Sequence, residues 1–123
     1  YIPEGSNRLC LFRENSPSSL RHHLEEGAIL PCDRGAAGHV IRAWGNGVDD
    51  RALEVLEHGF AQSHGERDPD ISAIAVPVLD RHKQMLGVLS LSGPGSRFTA
   101  EKRQSVLSLL KYHALECGRS LSA

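Results

Sequence analysis

The chain has 123 residues, and its 14 Lys and Arg against 15 Asp and Glu give a formal net charge of −1 at pH 7. This length favours one domain with a sizeable core, because domains usually contain about 100–150 residues. Domains that bind the phosphates of nucleic acids usually carry a surplus of Lys and Arg, which this chain lacks. The sequence therefore predicts that the chain does not itself bind DNA.

Neither a membrane span nor a disulfide framework is predicted. The longest uncharged apolar stretch, residues 71–79, is far shorter than the roughly 20 residues that cross a bilayer. Three widely spaced cysteines, Cys10, Cys32 and Cys117, are typical of a protein in a reducing cytoplasm. The start at Tyr1 lacks the features of a signal peptide, and we expect the chain to be part of a longer protein.

The first half of the chain is predicted to contain strands and one well-marked helix. Residues 8–13 are predicted as a strand, and residues 20–26 as a short helical or irregular segment. Residues 28–31 are predicted to be extended, because the proline at their end disfavours helix in the residue before it. Asp33 is predicted as the N-cap of a helix over residues 35–44.

A second helix is predicted in the middle of the chain. Asp49 and Asp50 are expected to open a helix over residues 51–58, whose apolar positions follow helical spacing. Gly59 is expected to end this helix, because glycine readily adopts the left-handed conformation found after helix ends. Residues 60–64 are then predicted as a short strand.

The second half of the chain predicts a β-hairpin and a long final helix. Residues 71–79 and 85–92 form the clearest strand pair, and residues 93–95 are expected to break the second strand. Thr99 is predicted to cap the final helix. Helical spacing predicts one apolar side on this helix, formed by Val106, Leu110, His113 or Ala114, Cys117 and Leu121. The pattern predicts an α+β fold, with an antiparallel sheet covered by helices.

The start of the helix over residues 35–44 is a candidate anion site. A helix N-terminus offers unpaired N–H groups at the positive end of its dipole. Gly35, Ala36, Ala37 and Gly38 carry almost no side chain, so a small ligand could reach these amides. The alternative is that small residues let the helix pack closely against the sheet, and on the pattern alone packing is the stronger interpretation.

Two polar groups near the hairpin are further candidates. Ser90 and Ser92 share one face of their strand and could converge on one ligand, with Ser90 predicted to point inward. Alternatively, both hydroxyls face water or a neighbouring strand. The acidic cluster of Glu66, Asp68 and Asp70 could order a loop, accept hydrogen bonds from a ligand or bind a cation, although a solvated loop is the simpler interpretation.

No metal site, cofactor or enzymatic activity is predicted. The adjacent His22 and His23 cannot chelate from one face of a regular element, and the chain has no Cys-x-x-Cys or His-x-x-x-His motif. A zinc site assembled from distant residues stays open as an alternative. Cys32 and Cys117 lie in no nucleophile motif, and no Gly-x-Ser-x-Gly or phosphate loop is present. An enzyme with a Cys or His nucleophile is therefore the weakest hypothesis.

Three segments together resemble a known protein family. They are EGAILPCDRGAAG at 26–38, GERDPDISAIAVPVLD at 65–80 and GVLSLSGPGSRF at 87–98. Their order and spacing are similar to those of the effector-binding domain of IclR-type bacterial transcriptional regulators, over residues 9–121. The resemblance implies a GAF-like fold of antiparallel sheet and helices around a small-molecule pocket.

The resemblance also implies what such a domain does. In this family the domain senses a metabolite, often a small organic or aromatic acid, and drives assembly into a homodimer or homotetramer. A separate N-terminal winged helix-turn-helix domain binds operator DNA. That domain, and the first strands of the sensor, are expected to lie outside this chain. The competing hypothesis is a GAF-like dimerisation module with a vestigial pocket and no effector.

Eight effector-binding residues follow from the resemblance. They are Leu30, Ala36, Ala37, Ser63, Ile71, Ala73, Ser90 and Ser92. Ala36 and Ala37 would offer backbone amides, and His22 aligns less securely with a wall position. Ala73 stands where some relatives have Cys, and Ser63 stands where some have an acid. The acidic cluster could supply the missing carboxylate.

Overall fold

In the described part of the chain, two three-stranded antiparallel sheets meet edge to edge, and one of them carries helices on both faces. The computed structural model describes residues 1–14, 25–45, 47, 49–66 and 68–122. The strands are β1 (Ile2–Glu4), β2 (Asn7–Leu9), β3 (Ile29–Pro31), β4 (Ala61–His64), β5 (Ile71–Leu79) and β6 (Met85–Pro94). The helices are α1 (Ala36–Trp44), α2 (Asp50–His58) and α3 (Ala100–Leu121), and a short 3₁₀ turn (Gly95–Arg97) precedes α3.

The first residue of the chain joins the two sheets. Within them the strand orders are β1–β2–β3 and β4–β5–β6. Tyr1 donates from its amino group to the Val88 carbonyl at 3.0 Å, and the Val88 N–H donates to the Tyr1 carbonyl at 2.8 Å. These bonds place the start of β1 beside the middle of β6, and β2 contacts α1.

Strand β5 separates the two halves of the core, because successive side chains of a strand point to opposite faces. Ala73 and Ala75 belong to the cluster that packs around α1 and α2. The alternate residues Ile74, Val76 and Val78 pack with Leu110 and Ala114 of α3, and with Phe98. The face toward α1 is thus built from small residues, whereas the face toward α3 is built from large ones.

The predicted α+β fold is confirmed, together with most of its elements. Asp49 caps α2 by accepting the Ala52 N–H at 2.9 Å, and Gly59 ends that helix with a φ of 81°. Thr99 caps α3 by accepting the Lys102 N–H. The hairpin β5–β6 forms as predicted, with a polar connection between its strands.

Several local predictions were wrong. Gly35, not Asp33, is the N-cap of α1 and makes no side-chain cap bond. The strand predicted over residues 8–13 is β2, which runs only from Asn7 to Leu9, and β1 was not predicted. Strand β6 continues through Gly93 to Pro94, because its register with β5 extends to the pair Ile71–Pro94.

The buried side of α3 also differs from the prediction. Leu110, Ala114 and Gly118 are buried at intervals of four, whereas Cys117 and Leu121 are exposed. The prediction failed because Gly118, which has no apolar side chain, packs so closely against β5 that a Cβ there would lie 2.1 Å from the Leu79 carbonyl oxygen. In the segment predicted as helical or irregular, residues 20–24 lie outside the described residues, and residues 25 and 26 are not helical.

Candidate functional site

A small cavity lies between the start of α1 and the neighbouring face of β5 and β6. Its volume is about 40 Å³. The predicted binding residues that line it are Ala36, Ala37, Ser63, Ile71, Ala73, Ser90 and Ser92. These predicted residues come from one helix, α1, and three strands, β4, β5 and β6.

Leu30 does not line the cavity. It is half-buried in β3, where it pairs with Arg8 of β2. That strand neighbour, Arg8, does line the cavity, although it was not among the predicted binding residues. His22, the less secure wall position, lies outside the described residues.

Small side chains on the hairpin leave room for this cavity. In the β5–β6 register, Ala73 pairs with Ser92 and Ala75 with Ser90. Directly paired residues present their side chains to the same face of a sheet, here the face toward α1. Ser90 is half-buried and Ser92 is exposed, which agrees with the predicted inward position of Ser90.

The first amides of α1 are bonded to side chains from distant parts of the chain. The Gly35 N–H donates to Oε1 of Glu66 at 3.0 Å, and the Ala36 N–H donates to Oγ of Ser63 at 3.1 Å. The N–H of Ala37 has no hydrogen-bond partner among the described residues. A ligand at the helix start could therefore bind Ala37 directly, but would have to share or displace Ser63 to reach Ala36.

Members of the acidic cluster make different contacts. Glu66 lies at the start of α1 through its bond to Gly35 and does not line the cavity, whereas Asp68 lines it. Asp68 also accepts the N–H of Asp70 at 3.1 Å, and the Asp70 carbonyl accepts the N–H of Gly95 at 2.9 Å. The cluster thus orders the loop between β4 and β5 and connects it to the end of β6.

Glu66 also joins a buried polar network with His39. Nε2 of His39 lies 2.7 Å from Oε1 of Glu66, and Nη1 of Arg42 lies 3.2 Å from Nδ1 of His39. Because arginine only donates hydrogen bonds, Nδ1 accepts and Nε2 carries the proton that is donated to Glu66. Burial acts to raise the pKa of Glu66, but the bonds from His39 and Gly35 and the charge of Arg51 outweigh it and lower that pKa.

Arg8 is a buried arginine at the edge of the cavity, with 3% of its surface exposed. Its Nη1 donates to the carbonyls of Pro31 at 2.7 Å and Arg34 at 2.9 Å. Its guanidinium carbon lies 5.1 Å from the centre of the Tyr1 ring. Among the described residues, no hydrogen-bond acceptor contacts its Nε and no carboxylate lies within 4 Å.

Metal binding, catalysis by a cysteine and a membrane span find little support in the described part of the chain. No group of three or more His, Cys, Asp or Glu residues there could hold a metal ion. Burial raises the pKa of the Cys32 thiol, against the opposing charges of Arg8 and Arg42, so this thiol is not activated as a nucleophile. Among the described residues, no helix is long and apolar enough to cross a membrane.

A wider recess of about 640 Å³ lies elsewhere on α1. It is open to solvent and is bordered by Ile41, Arg42 and Met85, among others. None of the eight predicted binding residues lines it. The smaller cavity is therefore the one that corresponds to the predicted site.

Fold and cavity together define a small α+β domain with a polar pocket beneath a helix start. Residues 51–122 match the family described as bacterial transcriptional regulator IclR C-terminal. Because the match covers more than half of the chain, the chain belongs to this family. Among curated proteins, the HTH-type transcriptional regulator KdgR of Escherichia coli (strain K12) is 35% identical over 57 residues, or 46% of this chain and 22% of KdgR.

Solved structures of the family share this fold. The Thermotoga maritima IclR superposes with a TM-score of 0.87 at 20% identity, over 99% of this chain and 60% of that one. The C-terminal domain of a Vibrio cholerae transcriptional regulator gives 0.78 at 26% identity, over 93% and 82% of the two chains. The C-terminal domain of KdgR gives 0.69 at 26%, over 80% and 75%.

These comparisons confirm the family resemblance and the α+β fold with its long C-terminal helix. The relatives are described as transcriptional regulators rather than as enzymes. The chain spans about a fifth of the length of the curated relative that it matches, and about 60% of the Thermotoga maritima protein.

Proposed function

We propose that this chain is the effector-sensing and oligomerisation domain of an IclR-type DNA-binding transcriptional regulator, and that its cavity binds a small organic acid. The observation that carries the proposal is the meeting of the α1 start with Ser90 and Ser92 in one cavity. The N–H of Ala37 and the two hydroxyls are donors suited to a carboxylate at a helix N-terminus. Ile71 and Ala73 supply apolar wall for the rest of the acid.

The size of the cavity bears on whether an aliphatic or an aromatic acid fits it. Typical ligand pockets measure about 300–1,000 Å³, against about 40 Å³ here. A carboxylate group with little attached to it fits this space, whereas an aromatic acid would have to extend out of the cavity or move its walls apart. Of the two classes that the resemblance implies, the geometry thus favours a small aliphatic acid.

Regulation follows from the same arrangement. In the proposal the domain assembles as a homodimer or homotetramer in the cytoplasm, and operator DNA is bound by a winged helix-turn-helix domain of the longer protein. An effector changes DNA affinity only if it binds one assembly state more tightly than another. Coupling of this kind typically amounts to about 1–3 kcal/mol.

A panel of small carboxylates tests the proposal. The melting temperature of the chain is measured with acetate, propionate, glycolate and benzoate, and with the corresponding amides as uncharged controls. We expect the smaller acids to raise the melting temperature and the Ser90→Val substitution, which places a larger apolar side chain in the cavity, to abolish the shift. Ser108→Val, the same change on the exposed side of α3, should leave it intact. No shift with any acid would contradict the proposal.

One observation favours the vestigial-pocket alternative as a second candidate. The Gly35 and Ala36 amides are already bonded to Glu66 and Ser63, so part of the helix start is satisfied without a ligand. This candidate predicts self-association in analytical ultracentrifugation that no acid of the panel alters. A chain that stays monomeric at all concentrations would exclude it.

A further inference from the structure

The guanidinium of Arg8 is a buried positive charge without an acidic partner in the described part of the chain. Burying an unpaired charge is costly, so buried arginines normally pair with carboxylates or other anions. Here Nη1 donates to two neutral carbonyls, which leaves the charge uncompensated, and Nε has no partner among the described residues.

The guanidinium of Arg8 lies next to the start of α1. A Cβ placed on Gly35 would lie 3.0 Å from Nη2, and one placed on Gly38 would lie 2.8 Å from Nη1. The guanidinium therefore lies against the start of α1, which is the positive end of the helix dipole. The guanidinium and the helix start lie side by side at the edge of the cavity, and an anion bound there would contact both in addition to the Glu66 carboxylate that already bonds Gly35.

No acidic group in the described part of the chain forms an ion pair with Arg8. Glu66 is committed to Gly35 and His39 and is not part of the cavity wall. Asp68 lines the cavity but is exposed, and it accepts a backbone bond in its own loop. Ser63, which bonds Ala36, is uncharged. The cavity wall therefore combines a buried cation, neutral hydrogen-bonding groups and the exposed carboxylate of Asp68, which forms no ion pair with Arg8.

We propose that Arg8 is the charge-recognising residue of the cavity and binds the carboxylate of an anionic ligand at the start of α1. This inference rests on the proposed function and adds that the effector is recognised by its negative charge. Because Nη1 also holds the Pro31 and Arg34 carbonyls, Arg8 would connect the ligand to the segment between β3 and α1. Ligand binding would then tighten the contact between the first sheet and α1.

Isothermal titration of the wild-type chain, Arg8→Gln and Arg8→Lys with acetate and acetamide tests this role. We expect wild type to bind acetate but not acetamide, and Arg8→Gln to bind acetate about 10- to 100-fold more weakly, as for loss of a charged hydrogen bond. Arg8→Lys keeps the charge but lacks the planar fork, so its affinity should be intermediate. Glu57→Gln, on the exposed side of α2, serves as the remote control.

The remaining outcomes separate this inference from the proposed function. If acetate binds wild type and a folded Arg8→Gln equally well, or if acetamide binds as well as acetate, Arg8 does not recognise the charge, while the cavity remains a binding site. If no acid binds wild type, both proposals are wrong.

Since Arg8 also bonds two carbonyls, its substitution could unfold the chain. The Arg8 Nε–H resonance of ¹⁵N-labelled wild type then decides the matter, because it should shift on acetate addition and not on acetamide addition. Binding of acetate without a shift of this resonance would overturn the inference.

Discussion

The starts of α1 and α3 differ in which residues bond their unpaired backbone N–H groups. At α3, Thr99 accepts the Lys102 N–H at 3.2 Å and Glu101 adds a negative charge in the first turn. All these groups lie within four residues and are exposed. The α1 start is buried, has no cap from a neighbouring side chain, and begins at Gly35 with a φ of 88°.

Distant residues complete the α1 start. Glu66 and Ser63 bond its first two amides, and Arg8 holds the segment before it through two carbonyls. A helix start that is capped by its own neighbouring residues depends only on those residues. A helix start whose amides are bonded by residues from distant elements responds to anything that moves those elements, including a ligand. This dependence suits α1 to a sensing role.

Close glycine contacts give the largest expected effects. A Cβ on Gly118 of α3 would lie 2.1 Å from the Leu79 carbonyl oxygen, which belongs to the backbone of β5. Gly118→Ala should therefore force α3 away from the sheet and lower the free energy of unfolding by about 3 kcal/mol or more. Urea denaturation measures this, with Ser108→Ala on the exposed face as the control.

Gly38→Ala in α1 is the counterpart of Gly118→Ala in α3. A Cβ on Gly38 would lie 2.8 Å from Nη1 of Arg8 and 2.8 Å from the Cys32 carbonyl oxygen. We expect Gly38→Ala to lower the free energy of unfolding by about 1–3 kcal/mol and to weaken acetate binding as well. Folded Gly118→Ala should bind acetate normally. Equal effects of the two variants on acetate binding would remove the functional distinction between the two helices.

Local signals explain which elements the sequence predicted correctly. Asp49, Gly59 and Thr99 act within one turn of their helices, and the hairpin strands are long and apolar. Asp33 satisfied the same local rule, but the actual cap is Gly35, whose amide bonds Glu66 from a distant loop. No local pattern reveals a cap of this kind, because it depends on how the loop after β4 folds back.

In the candidate site, too, features with a local signal were predicted and features that depend on distant contacts were not. Ser90 and Ser92 could be placed on one face from strand periodicity alone, whereas their meeting with Ala36 and Ala37 required the family resemblance. Arg8 was missed because an arginine in a short strand usually faces solvent. Its burial depends on contacts with Tyr1 and with the segment before α1, which no spacing rule encodes.

Acid titration should expose the dependence of α1 on Glu66. Because the folded-state pKa of Glu66 is lowered, its stabilising contribution is complete above the ordinary pKa of about 4.3 and is lost as pH falls through the lower folded value. Glu66→Gln should lower the free energy of unfolding by about 1.5–3 kcal/mol at neutral pH. The difference from wild type should shrink as pH falls below about 5.

Glu57→Gln on the exposed side of α2 is the matched control for this titration. Urea denaturation from neutral to acidic pH should give nearly parallel stability curves for wild type and this variant. A constant difference between wild type and Glu66→Gln at every pH would mean that the Glu66 charge does not stabilise the α1 start.

Loss of a single cap bond gives the smallest expected effects on stability. Thr99→Ala and Ser63→Ala each remove one acceptor from a helix start and should each lower the free energy of unfolding by about 1 kcal/mol.

The effects of these two substitutions on acetate binding should differ, because Ser63→Ala frees the Ala36 N–H at the cavity whereas Thr99 is remote from it. We expect titration calorimetry to show acetate binding to Ser63→Ala about two- to tenfold tighter, as for one added hydrogen bond. Thr99→Ala should bind acetate like wild type. Weaker binding by Ser63→Ala would instead indicate that the Ser63 hydroxyl itself contacts the acid.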